Sequence, residues 1–285
     1  MTNNNHRLYL PHTRIELINP DLIRRGFCHA VFDFDGTVSL IRQGWQQMMA
    51  KMMVEALLAT PQAEDEATLQ RLMTDYVAGS TGQATIFQME YLVEEVRRRG
   101  GRPKSAPEYK QMYIDRLNEQ VERRLRAVDS NPGSLAELMV PGAAAMLGAL
   151  RQQHVTCYLA SGTDEQYVIN EARILGVADY FNGGMYGARD DGRMVTKKML
   201  LDRILSENHL AGHQLVVFGD GTEEIARAAE AGCIAVGVAS DEVNRQGINE
   251  AKRQKLLEVG ADLIVPDFGE GDTLLRYLTG NPSLM

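Results

Sequence analysis

Five short apolar runs punctuate the chain: residues 30–32 (AVF), 156–160 (TCYLA), 215–219 (LVVFG), 234–239 (IAVGVA) and 263–267 (LIVPD). Each is partly β-branched and bounded by Gly, Ser, Asp or Pro. None alternates, which is the pattern of strands buried on both faces of a parallel sheet. Helix-forming segments at 141–153, 164–175, 196–207 and 222–231 separate the later runs, the second ending before Gly176 and the fourth before Gly232. Strands alternating with helices at this spacing predict an α/β fold with a doubly wound, Rossmann-like parallel sheet.

Residues 40–138 break that rhythm. They contain no convincing strand and four helical patterns, at 45–59, 66–78, 84–99 and 107–128. In the last, Tyr109, Tyr113, Leu117, Val121, Leu125 and Val128 form one amphipathic stripe, and the first carries Met48, Met49, Met52 and Met53. Helix-on-helix packing accounts for both. The expected organisation is an α/β core over 1–39 and 139–285, with 1–26 as an N-terminal extension, and an all-helical insert over 40–138. The hinges fall near 38–41 and 136–141, DSNPGS at 129–134 is a linker, and the two-domain reading places the site in the cleft between the parts.

Charge sharpens this division. The net charge is −8; the insert carries 13 basic and 14 acidic residues, and the remainder 17 and 24. Such acidity argues against non-specific nucleic-acid binding and places any divalent-metal site in the α/β part. Cys28, Cys157 and Cys233 lie far apart, matching neither a disulfide framework nor a zinc site, and read as small buried hydrophobes. The first residues carry no apolar signal segment and no run of 18 apolar residues occurs, so the expectation is a soluble, cytoplasmic protein with no membrane partner, as monomer or homodimer.

Four segments can carry chemistry. Asp33-Phe34-Asp35-Gly36-Thr37 follows the first strand; on extended backbone Asp33 and Asp35 point the same way, and Gly36 and Thr37 turn the chain and offer amides to an anion. Asp220 sits just past the Leu215–Gly219 run and Glu224 follows at the start of a helix, a spacing that lets both reach one hard cation; Glu223 reads as a first-turn acid complementing the helix dipole. Ser161-Gly162-Thr163 could hold phosphate oxygens, although a cap for the helix at 164 explains it equally well. Lys197-Lys198 precedes another helix and, taken alone, reads as a solvated pair.

Together and in this order, these segments resemble the haloacid dehalogenase-like hydrolase superfamily, specifically members similar to phosphoglycolate phosphatase and β-phosphoglucomutase that carry a helical cap between the first two motifs. The resemblance covers about 1–39 and 139–285. It implies that Asp33 is a nucleophile forming an aspartyl-phosphate, and that Asp35 protonates the leaving oxygen and then deprotonates the hydrolytic water. It further implies that Ser161, Lys197 and amides near Gly36, Thr37 and Gly162 hold the phosphoryl oxygens, and that Asp33, the carbonyl of Asp35, Asp220 and Glu224 bind Mg²⁺. Lys198 is the alternative to Lys197. Glu224 stands where the family often has Asp, leaving direct or water-mediated ligation open. The second aspartate favours phosphate-ester chemistry over C–halogen or C–P cleavage.

The expected activity is therefore Mg²⁺-dependent hydrolysis of a small phosphorylated metabolite, a sugar phosphate in particular. The alternative is a phosphomutase using the same nucleophile; a binding protein that has kept the fold is the reading from outside enzymology. Arg42, Gln43 and Trp45, with Gln83, Gln88 and Tyr91 behind them, are the candidates for substrate selection, Trp45 reading equally as a lid-packing aromatic.

Overall fold

The structure is a computed structural model that describes residues 7–22, 26–130, 132–189 and 196–280. The chain divides into two compact units, Met1–Leu40 with Leu135–Met285, and Ile41–Ser134.

The first unit is built on a sheet of eight strands among the described residues: β1 (Leu8–Tyr9), β2 (Glu16–Leu17), β3 (His29–Phe32), β4 (Thr156–Asp164), β5 (Gly184–Ala188), β6 (Leu215–Gly219), β7 (Ile234–Val238) and β8 (Leu263–Val265). Their order is β1-β2-β8-β7-β6-β3-β4-β5. The strands from β3 to β8 pair in parallel, whereas β1 and β2 add an antiparallel edge. Part of the N-terminal extension thus joins the sheet; residues 1–6 and 23–25 of it lie outside the described residues. β5, GMYGA, also belongs to the sheet, although its two glycines and lack of an apolar run gave no strand pattern.

The Val31–Phe32 pair shows why the sheet is doubly wound. Val31 points into a buried cluster with Leu200, Leu201, Ile204, Ile225 and Leu256, side chains of the helices α7 (Lys197–Glu207), α8 (Thr222–Glu230) and α9 (Glu250–Glu258). Phe32 points the other way and stacks on Phe218 at 4.5 Å, with Phe268 edge-on to Phe218 at 5.8 Å. A strand with apolar partners on both faces needs helices on both. Cys157 and Cys233 are buried as expected, but Cys28, just before β3, is exposed.

The second unit contains α1 (Trp45–Leu58), α2 (Glu66–Gly79), α3 (Thr85–Arg98) and α4 (Ala106–Ser130). Met49, Met52 and Met53 of α1 are buried, as are Tyr109, Tyr113, Leu117 and Val121 of α4; Leu125 and Val128 are only half-buried, so the stripe is sealed over its first turns alone. Asp65 caps α2 by accepting from Thr68 N at 3.0 Å. The described residues also form a 3-10 helix (Pro132–Leu138), α5 (Ala143–Gln152), α6 (Glu165–Ile174) and α10 (Gly271–Leu278). The segments on either side of the helical unit are tied together: Leu40 N donates to Leu138 O at 2.8 Å and Val140 N to Val38 O at 3.0 Å. No helix among the described residues is long and apolar enough to cross a membrane.

Candidate active site

In chain order β3, β4 and β5 run towards one edge of the sheet, and β6, β7 and β8 then run from the other side of β3 towards the opposite edge. The carboxyl ends of β3 and β6 therefore flank the point where the winding reverses, which is where open α/β sheets form a ligand crevice. Asp33 immediately follows β3 and Asp220 immediately follows β6. The pairing continues past the strand, with Asp33 N donating to Phe218 O at 2.9 Å.

Helix starts deliver the other groups. Thr196 caps α7, accepting from Met199 N at 3.2 Å, which makes Lys197 the first helical residue. Its Nζ lies 2.6 Å from Asp33 Oδ1 and 3.1 Å from Glu224 Oε2. Lys197 is 6% exposed, whereas Lys198 is exposed to solvent; of the two lysines the first is the one that reaches Asp33. Glu224, in the first turn of α8, accepts from Gly221 N through its other oxygen at 2.9 Å, so the helix end orients it.

Asp33, Asp220 and Glu224 each bring a carboxylate oxygen within 4.8 Å of the others, and all three are buried. Asp35 is not in this group. Its Oδ2 accepts a 3.0 Å hydrogen bond from Thr163 Oγ1, and Thr163 N donates to Ser161 Oγ at 3.1 Å. Ser161, Gly162 and Thr163 belong to β4, the neighbour of β3 on the side away from β6. The structure thus separates two acids that are two residues apart: one lies on a lysine among carboxylates, the other on a threonine hydroxyl.

Gly36 and Thr37 make the tight turn that follows Asp35. Phe34 O accepts from Val38 N and Ser39 N, both at 2.8 Å. Gly36 has φ +80°, and a Cβ there would overlap Asp220 Oδ2, so glycine is required both by the backbone and by the neighbouring carboxylate. Thr37 is fully buried.

Three residues of the site were not legible in the sequence. Lys252 Nζ lies 2.6 Å from Asp220 Oδ2 and 2.6 Å from Glu242 Oε1, and Ser240 Oγ donates to the carbonyl of Gly36 at 2.7 Å. All three follow β7, in a stretch whose KRQK reads as an ordinary solvated helix face.

Four carboxylates here face two ammonium groups. With every acid ionised, two negative charges remain. Burial pushes the Asp33 carboxyl well above its ordinary value; Lys197 opposes this, and Glu224 and Asp220 add to it. Burial would lower Lys197, but the carboxylates of Asp33 and Glu224 outweigh it and keep the ammonium charged. Three converging carboxylates are hard oxygen donors with charge left over, a set that suits Mg²⁺.

The remaining candidates lie in the helical unit. Arg42 is buried and Trp45, half-buried, opens α1 after the left-handed Gly44. Gln88 donates to Ser80 Oγ at 3.0 Å inside that unit, and Tyr91 stacks on Tyr76 with centroids 3.6 Å apart, so both have packing roles there.

The model of the haloacid dehalogenase-like hydrolases matches residues 29–232. No curated protein matches the chain. Among solved structures, a predicted phosphoglycolate phosphatase from Haemophilus somnus is 19% identical with a TM-score of 0.55, over 87% of this chain and 98% of that one. The β-phosphoglucomutase of Clostridium difficile is 15% identical with a TM-score of 0.58, over 89% and 97%. A hydrolase of the same family from Deinococcus radiodurans, solved with bound phosphate and sodium, is 18% identical with a TM-score of 0.53, over 88% and 96%. At these identities the likeness is one of fold. The family model spans well over half of the chain and contains Asp33, Asp35, Ser161, Lys197, Asp220 and Glu224, and the chain belongs to the haloacid dehalogenase-like hydrolases.

Proposed function

We propose that the protein is a Mg²⁺-dependent phosphatase acting on a small phosphorylated metabolite through a phosphoryl group carried on Asp33. The observation that carries this reading is the different company kept by Asp33 and Asp35. Asp33 is paired with Lys197 at 2.6 Å, and that ammonium opposes the effect of burial and favours the ionised form that attacks phosphorus. Asp35 lies on Thr163, outside the carboxylate cluster, where it can carry a proton without competing for a cation.

Asp33, Asp220 and Glu224, with the Asp35 carbonyl, would hold the Mg²⁺. When bound, the ion offsets the negative charge of the cluster and of the phosphoryl oxygens. The protein's own residues do the rest. An Asp33 carboxylate oxygen attacks phosphorus as the P–O bond to the metabolite breaks, and Asp35 gives its proton to the leaving oxygen. Asp35, now a carboxylate, takes a proton from the water that attacks phosphorus, releasing phosphate and restoring Asp33. Lys197, the Ser161 hydroxyl and the Gly162 amide hold the equatorial oxygens throughout; the amides of Gly36 and Thr37, expected from the sequence to help, instead donate to Ser39 O at 2.9 Å and Phe34 O at 3.3 Å and close the turn. Arg42 and Trp45 are proposed to take part in substrate selection. A helical unit inserted between the first and second motifs favours a small substrate, and a sugar phosphate is the proposed substrate class.

The test is phosphate release from a panel of phosphorylated sugars and small acids, with Mg²⁺ and with chelator, using Asp33→Asn as the blank. Chelator-sensitive release that the variant lacks supports the reading. Isomerised sugar phosphate in place of free phosphate would move the assignment to a mutase.

A further inference from the structure

We propose that Lys252 is a positioning residue for the metal site: it fixes the carboxylate of Asp220 and ties it to the backbone of the loop that carries Asp33 and Asp35. This rests on the reading that Asp33, Asp220 and Glu224 take Mg²⁺.

The argument begins with a local cap. Asn249 accepts from Ala251 N and Lys252 N, both at 3.1 Å, and so starts α9 with Lys252 in its first turn. That placement sends the side chain back toward the carboxyl ends of β6 and β7. There the ammonium meets two carboxylates at 2.6 Å, Asp220 Oδ2 and Glu242 Oε1, and the Ser240 hydroxyl at 3.4 Å. Its side chain is 15% exposed and that of Asp220 5%.

A lone surface lysine would gain little from one acid. Lys252 is held at three points, with a geometry that determines where Asp220 Oδ2 sits. The same ammonium lies 3.1 Å from where a Cβ on Gly36 would stand, and Ser240, its third partner, donates to the Gly36 carbonyl. Asp220, Lys252, Ser240 and Gly36 therefore form one continuous contact between the acid after β6 and the turn after β3. Groups that orient a metal ligand in this way commonly account for about 10- to 100-fold in metal affinity.

Lys252 is also a cation close to a cation site, and this gives the proposal a sign. If the lysine acted only as a counter-charge, removing it would tighten Mg²⁺ binding. If it positions Asp220, removing it weakens binding despite the gain in negative charge.

The experiment is calorimetric titration of Mg²⁺, and of Mn²⁺ as a second probe, into wild type, Lys252→Met, Lys252→Gln and Lys252→Arg without substrate. Lys252→Met is expected to bind about 10- to 100-fold more weakly, Lys252→Arg to stay within a few-fold of wild type, and Lys252→Gln, a neutral donor, to fall between. Phosphate release at saturating Mg²⁺ should then retain the wild-type KM for substrate. Equal or tighter binding by Lys252→Met overturns the proposal; should that variant not fold, Lys252→Gln binding Mg²⁺ as tightly as wild type or more tightly overturns it. A wild type that binds Mg²⁺ but releases no phosphate separates failure of the phosphatase reading from failure of this one. A wild type that binds neither ion overturns both the metal assignment and this inference.

Discussion

Lys197 Nζ lies 2.6 Å from Asp33 Oδ1, and both side chains are almost wholly buried. One ammonium also serves Glu224, so its loss would strand two buried carboxylates. Lys197→Met should lower the stability of the metal-free protein by about 3–5 kcal/mol, the cost of breaking a buried ion pair from one side. It should reduce kcat by about 100-fold or more, as for loss of a transition-state oxyanion donor. Thermal melts with and without Mg²⁺, alongside phosphate release, measure both effects.

The Thr163 hydroxyl donates to Asp35. Thr163→Val keeps the shape of the side chain and removes the donor. Because a well-placed acid–base group contributes about 10²–10⁴-fold, a loosened Asp35 should cost about tenfold in kcat with KM near wild type. Substrates with a good leaving group should feel the loss least in the first step, so comparing aryl and alkyl phosphates checks the assignment of Asp35 as acid.

Gly36 stands at φ +80° against Asp220. Gly36→Ala should cost about 1–3 kcal/mol in backbone strain and, by displacing the Asp220 carboxylate, weaken Mg²⁺ binding as well. Chemical denaturation and metal titration of the variant report the two losses separately.

Mg²⁺ itself should raise the melting temperature, because the ion binds the folded site and not the unfolded chain. At 100 times its Kd the gain is about 2.7 kcal/mol. Asp220→Asn should lose most of that shift, and chelator should abolish it in the wild type.

His29 gives a pH dependence away from the metal site. Its Nδ1 lies 3.2 Å from the Tyr158 hydroxyl, and burial lowers its pKa. The unfolded chain therefore takes up the proton at a higher pH than the folded one. The stability tied to neutral His29 is full above about pH 6.5 and is lost as pH falls through the lower folded value. Denaturant midpoints from pH 7 down to 5 should fall less steeply in His29→Phe than in wild type.

Much of the fold and the site was legible because strand ends are legible. Asp33, Asp35, Ser161 and Asp220 each follow or close an apolar run, and in a doubly wound sheet such positions converge. Lys197 and Glu224 stand at helix starts whose caps can be read locally. The rest depends on topology. Lys252 meets Asp220 only because β7 lies beside β6 and α9 turns back over their ends; 32 residues separate the two in the chain, and nothing in KRQK distinguishes that lysine from a solvated one. Thr163 was visible only as part of a Ser-Gly-Thr string, since its bond to Asp35 needs β3 and β4 side by side. The short strand β5 escaped because glycine-rich backbone can pair in a sheet without any apolar signature, and β1 and β2, two residues each, are too short to show a period.

A phosphoryl group carried on Asp33 can be sought on the protein itself. Asp35→Asn, given an aryl phosphate and Mg²⁺ and quenched in acid, lacks the base that would clear the intermediate. Peptide mass spectrometry should find one phosphoryl group on Asp33 and none when Asp33 is also replaced by Asn. Label on any other residue, or Asp33→Asn releasing phosphate at the wild-type rate, would contradict the account.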